Sequence, residues 1–279
     1  MQKSAILVIS FGTTYEEGRK ATVLPTVNRI RETYGAQYDV FEGFTSRIVM
    51  KRLKARGIFV ESESELLERV LQEGYTSVIV QSLHLVGGQE FNKLKRNMQE
   101  IAAKFEGVEL SFGRPLLFYM GQEGEVPDDF QIFLEASAKD YPLPEGEGLV
   151  YVGHGGLSPE NAAYSALQLK ALQMEAHKNT RIVTLECYPT LEDMVLPWQF
   201  GATPKKVHLL PLLFVAGDHM NNDLFGEEED SVKQQLMDAG YEVVEHRVAL
   251  GGKPFVQDLF LAHLEDAIQH RYVFKYDKK

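Results

Sequence analysis

The sequence holds a single cysteine, Cys187, and a single tryptophan in 279 residues. A lone thiol closes no intrachain disulfide, which excludes a small oxidised scaffold and fits a reducing compartment such as the cytoplasm. Long apolar runs are missing as well. The stretch Val207–Ala216 is interrupted by His208 and falls far short of the roughly 20 residues that span a bilayer, so no membrane association is expected. Near the amino end, Ala5–Ile9 runs directly into Ser10-Phe11-Gly12-Thr13-Thr14, not into a small-residue cleavage site, and reads as a strand rather than a signal peptide. Positive charge is in deficit: 29 Lys and Arg stand against 40 Asp and Glu, a net charge of -11. Nucleic-acid binding is thereby disfavoured, because phosphate contacts need a concentrated basic face. Gly121-Gln122-Glu123-Gly124 and Gly251-Gly252-Lys253 lack dinucleotide-fold or P-loop spacing, so no organic cofactor is expected. Glu227–Asp230 lacks calcium-loop spacing and reads as a solvated helix start.

What is present is a chain with 44% apolar and 25% charged residues, enough to bury a large core. Short β-rich runs alternate with helical patterns: Ala5–Ser10, a helix over Thr22–Tyr34, Asp39–Phe44, a helix over Glu63–Glu73, and Ser77–Leu83. This is the signature of an α/β fold with a mainly parallel sheet flanked by helices. The pattern then restarts with Leu149–Val152, a helix over Pro159–His177, Arg181–Leu185, a helical pattern over Leu191–Gln199, and Val207–Val215. The halves align. Leu7–Gly12 matches Val150–Gly155, Phe41–Phe44 matches Leu185–Tyr188, Val78–Asn92 matches Val207–Asn221, and Val108–Phe112 matches Tyr241–Glu245. Two duplicated α/β lobes follow, residues 1–142 and 143–279, divided in the polar Pro-containing stretch Tyr141–Gly148, with a helix near Pro127–Lys139 closing the first.

Open α/β lobes bind ligands where the carboxyl ends of their strands face a crevice. Three donors fall just past such ends: His154 in Gly153-His154-Gly155, Glu186 in Leu185-Glu186-Cys187-Tyr188-Pro189, and His219 in Gly217-Asp218-His219. Taken singly, each has a plain structural reading as a turn residue, a cap or an ion-pair partner. Together, two imidazoles and a carboxylate form an N/O set suited to Co2+, Fe2+, Ni2+ or Zn2+ alike, with positions left open for chemistry. Asp218 either orients the His219 ring or caps a helix starting near Asn222. His84 ends the third strand of the first lobe, and Glu90 is the first-lobe counterpart of His219. His208 lies within a strand and reads as structural, while His177, His246, His263 and His270 read as surface residues. The one basic stretch, Arg47–Arg56, is either a solvated helix face or a face toward an anionic small molecule.

These motifs resemble the anaerobic sirohydrochlorin cobaltochelatases, class II chelatases related in fold to ferrochelatase. The likeness covers nearly the whole chain. It is carried by Ile9-Ser10-Phe11-Gly12-Thr13-Thr14, Glu42–Arg47, Gln81-Ser82-Leu83-His84, Gly153-His154-Gly155, Glu186-Cys187-Tyr188-Pro189 and Val215–Asp223. Cys187 departs from it, standing where a small residue is expected. The resemblance implies Co2+ as the metal, held by His154, Glu186 and His219, with His154 also the general base that removes pyrrole N–H protons. It implies a sirohydrochlorin-type tetrapyrrole as partner, touched by Ser10, His84 and Glu90, with Arg47 and Lys51 as partners for its carboxylates. A homo-oligomer in the cytoplasm is expected on the same ground. Two other readings stay open: an iron chelatase using Fe2+ for sirohaem, and a tetrapyrrole or metal carrier without turnover.

Overall fold

A computed structural model describes residues 3–123, 125–194, 198 and 203–272. The first half contains β1 (Lys3–Ser10), α1 (Glu16–Tyr34), β2 (Asp39–Phe44), α2 (Arg47–Ala55), α3 (Glu63–Gln72), β3 (Tyr75–Ser82), α4 (Gln89–Ala102) and β4 (Glu109–Gly113). A short hairpin, β5 (Met120–Gln122) and β6 (Val126–Asp128), leads into α5 (Asp129–Asp140). The second half contains β7 (Gly148–Gly153), α6 (Ala162–Leu172), β8 (Thr180–Thr184), α7 (Leu191–Met194), β9 (Lys206–Pro211), α8 (Val232–Asp238), β10 (Glu242–Glu245) and α9 (Pro254–Ile268). The remainder of the helical pattern expected up to Gln199 lies, apart from Trp198, outside the described residues.

Two four-stranded sheets result, ordered β2-β1-β3-β4 and β8-β7-β9-β10, with every pairing in them parallel. The identical order is the duplication made visible. Register refines it. Ser10 stands opposite Phe44, and Gly153 stands opposite Thr184. The counterpart of Phe44 is therefore Thr184 and not Tyr188, which corrects the alignment read from sequence. Strand β8 ends at Thr184 because the following loop takes over its backbone: Thr184 N–H donates to Pro189 C=O at 2.7 Å. The other alignments hold, since Ile9 faces Ser82 just as Val152 faces Pro211.

Period-two alternation sorts the central strands into two interiors. In β1, Ile6 and Val8 enter one core cluster while Ala5, Leu7 and Ile9 enter another, against Leu66 and Leu67 of α3 and Phe91 and Leu94 of α4. In β7, Leu149 and Tyr151 join the same cluster as Ile6 and Val8, whereas Val150 and Val152 face Leu236 of α8. The shared cluster also takes Val23 and Val27 of α1, Phe133 of α5, Leu167 of α6 and Phe260 of α9. One core thus joins both sheets, and α9, from the carboxyl end of the chain, lies across β3 and β4 of the first one.

Two histidines expected at the surface are buried instead. His177 bonds Leu134 O at 2.8 Å and Thr180 Oγ1 at 3.0 Å, and His263 lies 3.3 Å from Asp129 Oδ1 and 3.2 Å from Arg114 O. Each ring spends its polar atoms on interior partners, which makes burial affordable. His208 is buried as expected, and His270 is exposed.

Candidate metal-binding active site

Gly12 and Gly155 are counterparts in the repeat, and both sit at positive φ, +91° and +84°. A side chain is strained there, so glycine supplies the turn that ends β1 and β7. In the second lobe this turn carries His154. The Glu186 loop is bonded straight onto it: Leu185 N–H donates to Gly153 C=O and Glu186 N–H donates to His154 C=O, both at 3.0 Å. Thr184 Oγ1 accepts from Cys187 N–H at 3.2 Å. Asn161 ties the two segments from behind, accepting from Gly156 N–H and donating to Tyr188 C=O. His219 opens a single wide helical turn, His219–Leu224, of the π type often found where function bends a helix.

These loops bring the three sequence-predicted donors together. His154 Nε2 lies 3.1 Å from His219 Nε2 and 3.6 Å from Glu186 Oε1. The imidazole rings meet edge to face, with centroids 4.4 Å apart and planes at 90°. All three side chains are about half exposed, at 40%, 53% and 48% for His154, Glu186 and His219. Among the described residues no group of three or more His, Cys, Asp or Glu is already gathered closely enough to hold an ion, so the three donors stand near one another without forming a finished shell.

The hydrogen bonds behind the rings define what the donors present. His154 Nδ1 is 3.0 Å from Gly155 C=O, and His219 Nδ1 is 2.6 Å from Asp223 Oδ2. A carbonyl and a carboxylate only accept, so both Nδ1 atoms carry a proton, and the two Nε2 atoms are turned toward each other. In the tautomer that leaves both Nε2 atoms unprotonated, a cation between them takes both lone pairs. A separation of 3.1 Å is also that of two adjacent nitrogens each about 2.0–2.1 Å from one ion. Asp223, the residue that sets the His219 tautomer, was not singled out from sequence. Its signal was the i,i+4 spacing. Asp218, considered for that task, instead accepts from the Tyr15 hydroxyl of the first lobe and lies 3.8 Å from Arg52.

The remaining sequence candidates fall at varied depths. Ser10 is buried, with its hydroxyl unpartnered; His84 bonds Ser82 at 2.7 Å, and its Nε2 is sealed from solvent without a partner. Burial pushes His84 down to about 4. Both sit at the carboxyl edge of the first sheet, Ser10 wholly buried and His84 partly exposed. Glu90 is exposed in the first turn of α4, whose Gln89 N–H donates to Glu160 of the second lobe. Helix α2 starts at Ser46, whose hydroxyl accepts from Val49 N–H at 3.3 Å. Arg47 and Lys51 on α2 are exposed, and no ion pair to them occurs among the described residues. The Arg52–Asp218 contact sets this basic helix beside the His219 loop. Large apolar side chains that remain exposed also follow strand ends: Phe11 after β1, Leu157 after β7 and Tyr188 after β8. A separate cavity of about 490 Å³ between α4, β4 and α9 contains none of the three donors, and its Arg114 is already bonded to Asp129 and Asp266.

Comparison with known proteins agrees with this geometry. The family model described as Cobalt chelatase (CbiK) matches residues 4–269. A sirohydrochlorin cobaltochelatase of Salmonella typhimurium is 30% identical over 95% of this chain and 97% of its own length. The sirohydrochlorin cobaltochelatase CbiKC of Nitratidesulfovibrio vulgaris is 29% identical over 96% of this chain and 92% of its own. Among solved structures, the sirohydrochlorin chelatase SirB from Bacillus subtilis subspecies spizizenii in complex with cobalt shares the fold, with a TM-score of 0.61 at 13% identity over 96% of this chain and 97% of that one.

Proposed function

The chain belongs to the cobalt chelatase (CbiK) family, and we propose that it inserts Co2+ into sirohydrochlorin, with His154, Glu186 and His219 as the ligands that deliver the ion. It is a metal chelatase. The observation that carries the reading is the pair of facing Nε2 atoms, 3.1 Å apart, with Glu186 3.6 Å from one of them. A borderline N/O donor set binds Co2+ firmly enough to take it up, and the incomplete shell leaves places for incoming pyrrole nitrogens.

Insertion replaces two pyrrole N–H protons with one divalent ion. His154 is the base in this scheme, taking one proton at a time at Nε2 and passing each to solvent, to which its side chain is 40% exposed. Its Nε2 lone pair is freed as the ion passes to the ring, and imidazole titrates near working pH. Phe11, Leu157 and Tyr188 offer apolar surface to the flat face of the macrocycle, while Arg47 and Lys51 pair with its carboxylates. Glu90 and the partly exposed His84 are assigned to the macrocycle wall on the first-lobe side, with the buried Ser10 beneath it. No described helix is long and apolar enough to cross a membrane, and the reading places a homo-oligomer in the cytoplasm.

The test is absorbance-monitored cobalt insertion by the purified protein. Many turnovers per chain are expected with the native sequence, and none above background with His154→Ala at unchanged circular dichroism. A single stoichiometric binding event would mean a carrier, and faster insertion of Fe2+ than Co2+ would reassign the metal.

A further inference from the structure

A second pair of imidazoles repeats the arrangement of the first. His208, the third residue of β9, lies with Nδ1 3.0 Å from Nε2 of His246, which follows β10. Behind His208, Nε2 bonds the Glu147 carboxylate, itself 3.4 Å from Lys206. The sequence of parts is the same in both places: carboxylate, imidazole, then a second imidazole nitrogen about one ligand spacing away. In one it is Asp223, His219 and His154; in the other, Glu147, His208 and His246.

The second cluster is far from the first along the sheet. His208 lies three residues before the end of β9, about 10 Å at the rise of a strand, Glu147 precedes β7, and His246 reaches them from the end of the short edge strand β10, level with Leu209. The proposed chelatase ligands follow the carboxyl ends of β7 and β8 and the loop after β9, beyond Pro211.

A carboxylate only accepts, so His208 Nε2 carries the proton and Nδ1 offers one in-plane lone pair. Two neighbours compete for it: the Tyr141 hydroxyl at 2.6 Å and His246 Nε2 at 3.0 Å. Burial, and after it the charge of Glu147, raise the Tyr141 phenol, which keeps Tyr141 a neutral hydroxyl. One lone pair serves one partner at a time, so an ion bound at His208 Nδ1 replaces the Tyr141 hydrogen bond and meets His246 as the tautomer protonated on Nδ1. The neighbouring cations are already matched, Lys206 by Glu147 and Glu242 and Lys253 by Asp140, so they leave the imidazole nitrogens available. His208 is 7% exposed at its side chain, whereas His246 is only partly buried and provides access.

The geometry points to a second divalent-metal site, distinct from the chelatase centre, in which His208 Nδ1 and His246 Nε2 bind a first-row ion such as Co2+, with Glu147 as the positioning carboxylate behind His208 and water completing the shell. Nitrogen donors of this kind favour the later first-row ions, and a carboxylate on the far imidazole nitrogen raises ligand basicity and fixes the tautomer.

The test uses the full-length chain carrying His154→Ala and His219→Ala, so that the first pair is removed. Titration with Co2+, followed by calorimetry and the visible d–d bands, is expected to show one bound equivalent. Adding His246→Ala abolishes it, and adding Glu147→Gln instead weakens it roughly 10- to 100-fold, with circular dichroism unchanged in both. Absence of binding in the doubly substituted background, or a bound ion that survives His246→Ala, would overturn the proposal. Turnover with sirohydrochlorin reports on the chelatase reading and equilibrium titration on this site, so the two fail separately.

Discussion

In the proposed metal site, Asp223 would act on the ion only through His219. The 2.6 Å bond from His219 Nδ1 to Asp223 decides which nitrogen is bare. Asp223→Asn keeps the shape and removes the charge, so Co2+ affinity is expected to fall on the order of 10- to 100-fold with the fold intact, as calorimetry will measure; an unchanged affinity would mean that Asp223 is only a surface neighbour. His154, Glu186 and His219 were legible in the sequence because glycines, polar residues and strand ends bracket them. The choice between Asp218 and Asp223 was not. It depends on the pitch of the wide turn His219–Leu224 and on Tyr15 of the other lobe reaching Asp218.

At the scale of elements, α2 is the piece whose purpose needed a neighbour. Its Ser46 cap and its exposed Arg47 and Lys51, one helical turn apart, are sequence features; its position beside the His219 loop rests on the Arg52–Asp218 contact. Arg47→Ala with Lys51→Ala is expected to raise KM for sirohydrochlorin several-fold at low salt while leaving kcat in place. The difference should shrink at higher ionic strength, where screening shortens to about 3 Å at 1 M; a salt-independent effect would argue for lost shape instead. Helix α3 provides a plain stability test. Its capping box joins Ser62 and Glu65 reciprocally, and Ser62→Ala is expected to cost about 1 kcal/mol in denaturant unfolding. Helices α4 and α9 were not given bounds in advance, although each lays one apolar stripe on one core, Phe91, Leu94 and Met98 in α4 and Val256, Phe260 and Leu264 in α9.

Across the whole molecule, one apolar cluster holds β1, β7, α1, α5, α6 and α9 together, so the two lobes are expected to unfold in one transition, with tryptophan fluorescence and circular dichroism coinciding. Truncating Phe260→Ala in that cluster should cost about 3–5 kcal/mol. Acid is the other lever. Burial pushes His84 down to about 4 and lowers His177 and His246 as well. The unfolded chain then binds more protons than the folded one between pH 6.5 and about 4. Stability is therefore fully present above the unfolded value near 6.5 and is lost as pH falls toward 4, with His84 contributing no more than about 3 kcal/mol. Urea titrations at pH 7 and pH 5 should show the drop, and His84→Gln should flatten it; an equal slope in both proteins would remove His84 from the account.

Composition, alternation and the repeat determined that this chain builds two parallel α/β halves with donors at strand ends, because burial period and turn chemistry are local properties of sequence. Tertiary structure alone decided that Thr184 and not Tyr188 closes β8, that Asp223 and not Asp218 holds His219, and that His208 meets His246. Each of those outcomes depends on which of several groups takes one hydrogen bond, and that is resolved only when folding has brought them within about 3 Å.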